Sequence, residues 1–204
     1  MTGVKFINNT EENLRIAVFK QPYQTPSLQV IAWKIIPLPR DGGNKTLQFN
    51  NEYAVYINYP NEEDERGDPY GGTQTAPIPI DQTTANFLVR NEQTNDAQST
   101  VAVLKRVYIN LAPSEIHIAN MAAFGVWGHI TLDENDIYPP QIISPGRTLM
   151  ENIESPLFVS VIDDFVVSGT VVKVRELKTI PVIVELGDVI SITGSKWTGY
   201  SMAK

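Results

Sequence analysis

Apolar and polar residues alternate with a period of two along most of the chain. "NLRIAVFK" sets Leu14, Ile16 and Val18 on one face and Arg15, Ala17 and Phe19 on the other. "EYAVYINY" sets Tyr53, Val55, Ile57 and Tyr59 against Glu52, Ala54, Tyr56 and Asn58, and "STVAVLKRVYIN" aligns Val101, Val103, Val107 and Ile109. "PLFVSVID", "VVSGTVVKVREL", "IPVIVEL" and "DVISIT" are rich in β-branched residues, which suit a pleated, half-buried surface. No window carries a helical stripe of ten or more residues. One short helix is placed near "QTTANFLV", residues 82 to 89. Turn formers separate the runs: "PLPRDGGN", "NEEDERGDPYGG", "NEQTNDAQ", "DENDIYPP", "SPG" and "LGD". The pattern predicts an all-β fold, an antiparallel β-sandwich of Greek-key or jelly-roll type. No internal repeat stands out. The polar stretch from Asn91 to Ser99 reads as a hairpin loop or a boundary between halves, and one domain over 1–204 is expected.

Both histidines lie in "HIANMAAFGVWGHI", residues 117 to 130. Here Ile116 and Ile118 oppose Glu115 and His117. After the small-residue stretch, Val126, Gly128, Ile130 and Leu132 oppose Trp127, His129 and Thr131. Two strands with a short connection, or one bent strand, are predicted, forming core. Glu115 and the two histidines number enough for a catalytic zinc, yet the i, i+4 histidine pair of a zinc helix is absent. Trp127, His129 and Thr131 read instead as a half-exposed face able to meet a sugar or a partner.

Composition narrows the function classes. The 204 residues carry a net charge of −7, with 42% hydrophobic and 19% charged positions. Such a chain is globular and lacks the basic patch that nucleic acid or an anionic membrane surface requires. Cysteine is absent, which removes disulfides, thiolate metal sites and cysteine nucleophiles. No apolar stretch reaches the ~20 residues of a spanning helix, so no transmembrane segment is expected. The start "MTGVKFINNTEENLR" shows no signal peptide. Cytoplasmic synthesis is expected, with release or non-classical export as an open alternative.

The acidic loop "YPNEEDERGDPYGG" offers Glu62, Asp64 and Asp68 as calcium ligands, but the spacing departs from an EF-hand and a solvated loop is the favoured reading. "LDENDIYPP" is similar to the calcium-binding linker of cadherins over a few residues, and a turn accounts for the same residues. No nucleophile elbow, dinucleotide fingerprint, phosphate loop or zinc-protease motif is present. No catalytic residue is assigned and no cofactor is expected.

"VKFINNT", "IAVFKQP", "IAWKIIPLP" with Ala32 and Trp33, and the strand holding Tyr53 and Tyr56 together resemble the RhiA-like, rhizosphere-induced proteins of bacteria. "IHIANMAAFGVWGHI" and "DVISITGS" fit the same layout. The resemblance implies a bacterial, soluble, β-rich protein of plant or host surroundings, with no catalytic residues to carry across.

The expectation is a non-enzymatic protein acting by contact, through self-association as a homo-oligomer or recognition of a host or microbial surface. Strands within residues 157 to 192 supply edges for such pairing. Two alternatives stand beside it. One is a pore-forming or insecticidal toxin-like protein whose "TQTAPIPIDQTTANF" stretch is mobile. The other is a carbohydrate-binding module that stacks a glycan on Trp127 and His129, or on Trp197 and Tyr200.

Overall fold

The computed structural model describes residues 3–23, 29–60, 67–80, 85–93, 100–107 and 114–204. The fold is all-β, as the alternation predicts. Val174–Glu176 forms one 3-10 turn, and no longer helix occurs among the described residues. Of the short helix expected near 82–89, residues 86–89 lie in a strand and 82–84 fall outside the described residues. The chain forms two compact units where the sequence suggests one domain. The first comprises Met1–Asn51, Ile137–Pro139 and Ser155–Lys204, the second Glu52–Asp136 and Pro140–Glu154. Each has its own sheets and core.

Unit one begins with β1 (Val4–Asn8), β2 (Leu14–Phe19), β3 (Gln29–Ile31), β4 (Lys34–Leu38) and β5 (Gly43–Leu47). The chain then builds unit two from β6 (Tyr53–Tyr59), β7 (Thr73–Gln74), β8 (Ile78–Pro79), β9 (Asn86–Gln93), β10 (Thr100–Arg106), β11 (Glu115–Asn120), β12 (Val126–Leu132), β13 (Asn135–Asp136), β14 (Gln141–Ile143) and β15 (Thr148–Asn152). It returns to unit one with β16 (Leu157–Ile162), β17 (Val171–Lys173), β18 (Val182–Val184), β19 (Val189–Ser195) and β20 (Gly199–Ala203).

In unit one, a sheet ordered β20-β19-β1-β5 and a sheet ordered β18-β16-β2-β4 supply the core. Val4, Phe6, Ile190 and Ile192 come from the first, and Ile16, Val18, Val159 and Val161 from the second, all at most 1% exposed. The outer face of β2 and β16 is also covered. Ala17, Phe19 and Ile162 pack with Val30 of β3 and Val172 of β17, a two-stranded ribbon. This explains why β2 is buried on both faces and its alternation is blurred. Of the strands within 157–192, β16 and β19 are interior; β18 is the sheet edge.

Unit two repeats this plan with sheets ordered β10-β9-β11-β15 and β13-β12-β6-β7. Strands β9 and β10 pair as a hairpin across the polar stretch, so that stretch joins partners within one unit. The turn expected at "DENDIYPP" is a two-residue hairpin, with Asp133 (φ 46°) and Glu134 (φ 68°) between Leu132 and Asn135.

The correspondence extends to individual registers. Phe6 pairs with Ile190 in parallel, and Ile118 pairs with Phe87 in parallel. Val18 lies opposite Val159, and Ile130 opposite Val55. Leu14 pairs with Leu38 as Val126 pairs with Ile143. Gly42 N–H donates to the Asn8 carbonyl and Gly146 N–H to the Asn120 carbonyl, both at 2.7 Å. Val161 N–H donates to Thr179 Oγ1 and Ile57 N–H to Thr75 Oγ1, both at 3.1 Å. Thus β1, β2, β4 and β5 correspond to β11, β12, β14 and β15, and β16, β18, β19 and β20 to β6, β8, β9 and β10. The chain contains a repeat, and each unit combines one half of each copy. Both parallel pairings, absent from the antiparallel expectation, join such halves, because neighbouring segments alone cannot form a parallel pair without a long crossover.

Candidate functional site

In unit two, β12 turns Trp127, His129 and Thr131 to one face, as the alternation predicts. His129 and Thr131 are buried there, and Trp127 is half-buried. In place of a half-exposed face, a covered one is found, because the segment around Tyr70 folds over it. His129 occupies the position of Ala17 in unit one. Its ring stacks on Tyr56, with centroids 4.2 Å apart and planes 13° from parallel, and Tyr70 leans on it at 5.4 Å. His129 Nε2–H donates to the Pro69 carbonyl at 2.8 Å, and Nδ1 lies 3.1 Å from Asp136 Oδ2. Tyr70 Oη–H donates to the same Asp136 oxygen at 3.1 Å.

The Pro69 carbonyl and the Asp136 carboxyl therefore bracket the imidazole, one at each ring nitrogen. Burial, then the Asp136 charge, pushes the Tyr56 and Tyr70 phenols well above their ordinary values. With both nitrogens engaged inside the protein, His129 clamps Pro69 and Tyr70 to the sheet. His117 lies on the other sheet of unit two, half-buried, with Nε2 3.0 Å from Glu115 Oε2. The two histidines do not combine into a ligand set, and no group of three metal-ligating side chains occurs among the described residues. Of the calcium candidates, Glu62 and Asp64 lie outside the described residues. Asp68 Oδ1 accepts the Tyr70 N–H at 2.9 Å.

Trp197 and Tyr200 of unit one are better placed for contact. They belong to the β19–β20 hairpin, whose turn is held by Ser195 Oγ accepting the N–H groups of Trp197 (3.3 Å) and Thr198 (3.2 Å). Trp197 projects from it, 85% exposed, with Lys196 Nζ 5.1 Å from its ring centre. Lys196 and Tyr200 of the same hairpin line a polar cavity of about 350 Å³, with Glu12, Asn13, Asp164 and Lys178 among others. Tyr200 Oη–H donates to Glu12 Oε2, and Lys196 N–H donates to Glu12 Oε1 at 3.3 Å. The Tyr200 bond is the chief reason the Glu12 carboxyl sits below its usual range. Burial first, then Glu12, pushes the Tyr200 phenol up to about 12. Lys178 pairs with Asp163.

Sequence reasoning found Trp197 and Tyr200 but not Glu12, Asn13, Asp164 or Lys178. Glu12 is 188 residues from Tyr200, and no local spacing marks it. The Asp136, Tyr56 and Tyr70 surroundings of His129 were missed for the same reason.

Trp127 lines a separate cavity of unit two, about 290 Å³, with Pro60, Phe124, Gly125, Ile142 and Pro145. No helix among the described residues is long and apolar enough to cross a membrane. The "TQTAPIPI" stretch is paired along β6 through β7 and β8. No protein-family model, curated protein or solved structure matches the chain.

Proposed function

We propose that this protein acts by contact, recognising a saccharide on a host or microbial surface through the cavity of unit one. The observation that carries this reading is an exposed indole, Trp197, on a hairpin whose Lys196 and Tyr200 line a small polar cavity. The face of the exposed Trp197 ring suits the apolar side of a pyranose. The cavity supplies donors from Lys178, Lys196 and Asn13 and acceptors from Glu12 and Asp164, the mixture that hydroxyl groups need. A host-associated setting accords with the resemblance to rhizosphere-induced proteins.

A glycan array probed with labelled protein tests the reading. Binding to a defined set of glycans is expected, with loss in Trp197→Ala and weakening in Tyr200→Phe. Binding to nothing, or equal binding by both variants and the parent, overturns it.

Self-association is a second reading, favoured by Ile183 (44% exposed) on β18, the edge strand of its sheet among the described residues, and by Ile180 (87% exposed) just before it. A mass that rises with concentration, and falls back in Ile183→Lys, supports it. A single monomeric mass at all concentrations removes it.

A further inference from the structure

The two units are hollowed at the same place in their shared plan. Arg15 pairs with Pro37 across β2 and β4, and Trp127 pairs with Ile142 across β12 and β14. Arg15 also lies opposite Ile162, as Trp127 lies opposite Asn58. Asp164 and Pro60 each follow two residues later in their chains. Arg15, Pro37, Asp164 and Asn13 line an open cavity of about 590 Å³ in unit one. Their counterparts Trp127, Ile142, Pro60 and Gly125 line the cavity of about 290 Å³ in unit two. Glu12 and Ile162 line the adjoining polar cavity of unit one. The residues in their places in unit two are Phe124 and Asn58.

Each unit also holds an orphaned polar atom near this place: Arg15 lines its cavity, and Asn58, outside the lining of the unit-two cavity, lies across the strand pair from Trp127. Arg15 Nε is buried with no hydrogen-bond partner, and so is Asn58 Oδ1, in a residue only 2% exposed. Leaving such an atom unpaired costs about 1–3 kcal/mol, which makes it a mark of something the site accepts. The orphans are opposite in kind. Arg15 offers a donor beside charged residues; Asn58 offers an acceptor across the strand pair from an indole.

We propose that this position is a ligand site in both units, and that the unit-two version binds a small aromatic ring carrying one hydrogen-bond donor, of the indole or phenol class. The ring enters among Trp127, Phe124, Pro60 and Pro145, where aromatic and proline faces contact it, and its N–H or O–H donates to Asn58 Oδ1. Ile142, 55% exposed, borders the opening. The unit-two site stands apart from the saccharide reading, since the two use different residues and different ligand chemistry; in unit one, Asn13 and Asp164 line both cavities.

The test uses full-length ¹⁵N-labelled protein and two probes, indole and 1-methylindole. The chain has three tryptophans, so three indole N–H signals report; Trp127→Phe and Trp197→Phe assign them. Indole is expected to shift the Trp127 signal saturably and leave Trp197 still. 1-Methylindole, lacking the donor, should bind about five-fold more weakly, the worth of one neutral hydrogen bond. Ile142→Asp, at an exposed position that leaves the fold intact, should abolish the shift. A Trp127 signal unmoved by indole in folded protein overturns the site. Equal binding of the two probes overturns the role of Asn58. Either result can occur with glycan binding intact, so failure here is distinct from failure of the saccharide reading.

Discussion

Asn8 and Asn120 perform the same task in the two units. Each is fully buried at the end of the first strand of its motif. Asn8 Nδ2 donates to the carbonyls of Glu12 (2.8 Å), Leu38 (3.2 Å) and Pro39 (3.0 Å), and Asn120 Nδ2 to those of Phe124 (2.9 Å) and Ile143 (2.7 Å). Their Oδ1 atoms accept the N–H groups of Thr10 (3.0 Å) and Ala122 (2.9 Å). One amide thus satisfies the backbone where the chain leaves one sheet for the other. No hydrophobic residue could replace it there.

Asn8→Ala and Asn120→Ala should each lower stability by about 2–4 kcal/mol, since several buried carbonyls lose their donor at once. Urea denaturation measures the loss, and hydrogen exchange should place it in unit one for Asn8→Ala and in unit two for Asn120→Ala. Losses below half a kcal/mol would mean water takes over the bonds.

Gly42 and Gly146 lie in the left-handed region, at φ 83° and 74°, and a Cβ at either would meet nothing within 4 Å. Alanine there is penalised by conformation alone, by about 1–2 kcal/mol at each site. Similar losses from thermal unfolding of the two variants are expected. A large difference would break the equivalence of the two corners.

Lys20 is 4% exposed, and burial pulls its pKa down from 10.5 to about 8. The unfolded chain therefore holds this proton to higher pH than the folded one. Below pH 8 the buried charge costs about 3 kcal/mol, and stability rises as pH goes from 8 towards 10.5. The residue in the same place in unit two is Leu132, fully buried. Lys20→Leu should add about 1–3 kcal/mol at pH 7 and flatten that alkaline rise, as read from denaturation midpoints across pH 7 to 10.5.

His129→Phe keeps a ring against Tyr56 but removes both hydrogen bonds, stranding the Pro69 carbonyl and one Asp136 interaction. A loss of about 2–4 kcal/mol is expected. Exchange of the Tyr70 amide should accelerate with it. Unchanged protection at Tyr70 would show that the clamp lies elsewhere.

The strands were legible because one face of each is core. Val126, Gly128, Ile130 and Leu132 alternate with Trp127, His129 and Thr131 in the sequence and in the sheet alike. The repeat was not legible, because identity survives at few corresponding positions: Asn8 with Asn120, Gly42 with Gly146, Val55 with Val159, Thr75 with Thr179, Pro77 with Pro181. Elsewhere the physical demand differs between units. Ala17 fits under an apolar ribbon, whereas His129 must answer a carboxylate and a carbonyl. At the candidate site only the aromatic residues stood out, since Glu12 and Lys178 approach Tyr200 through pairings distant in sequence.

Because each unit draws half its strands from each copy of the repeat, a single nick between Val107 and Ser114 yields two pieces that remain interlocked. Neither fragment carries a whole sandwich away with it. Proteolysis at that junction would go unnoticed in solution and show only once denaturant lets the strands part.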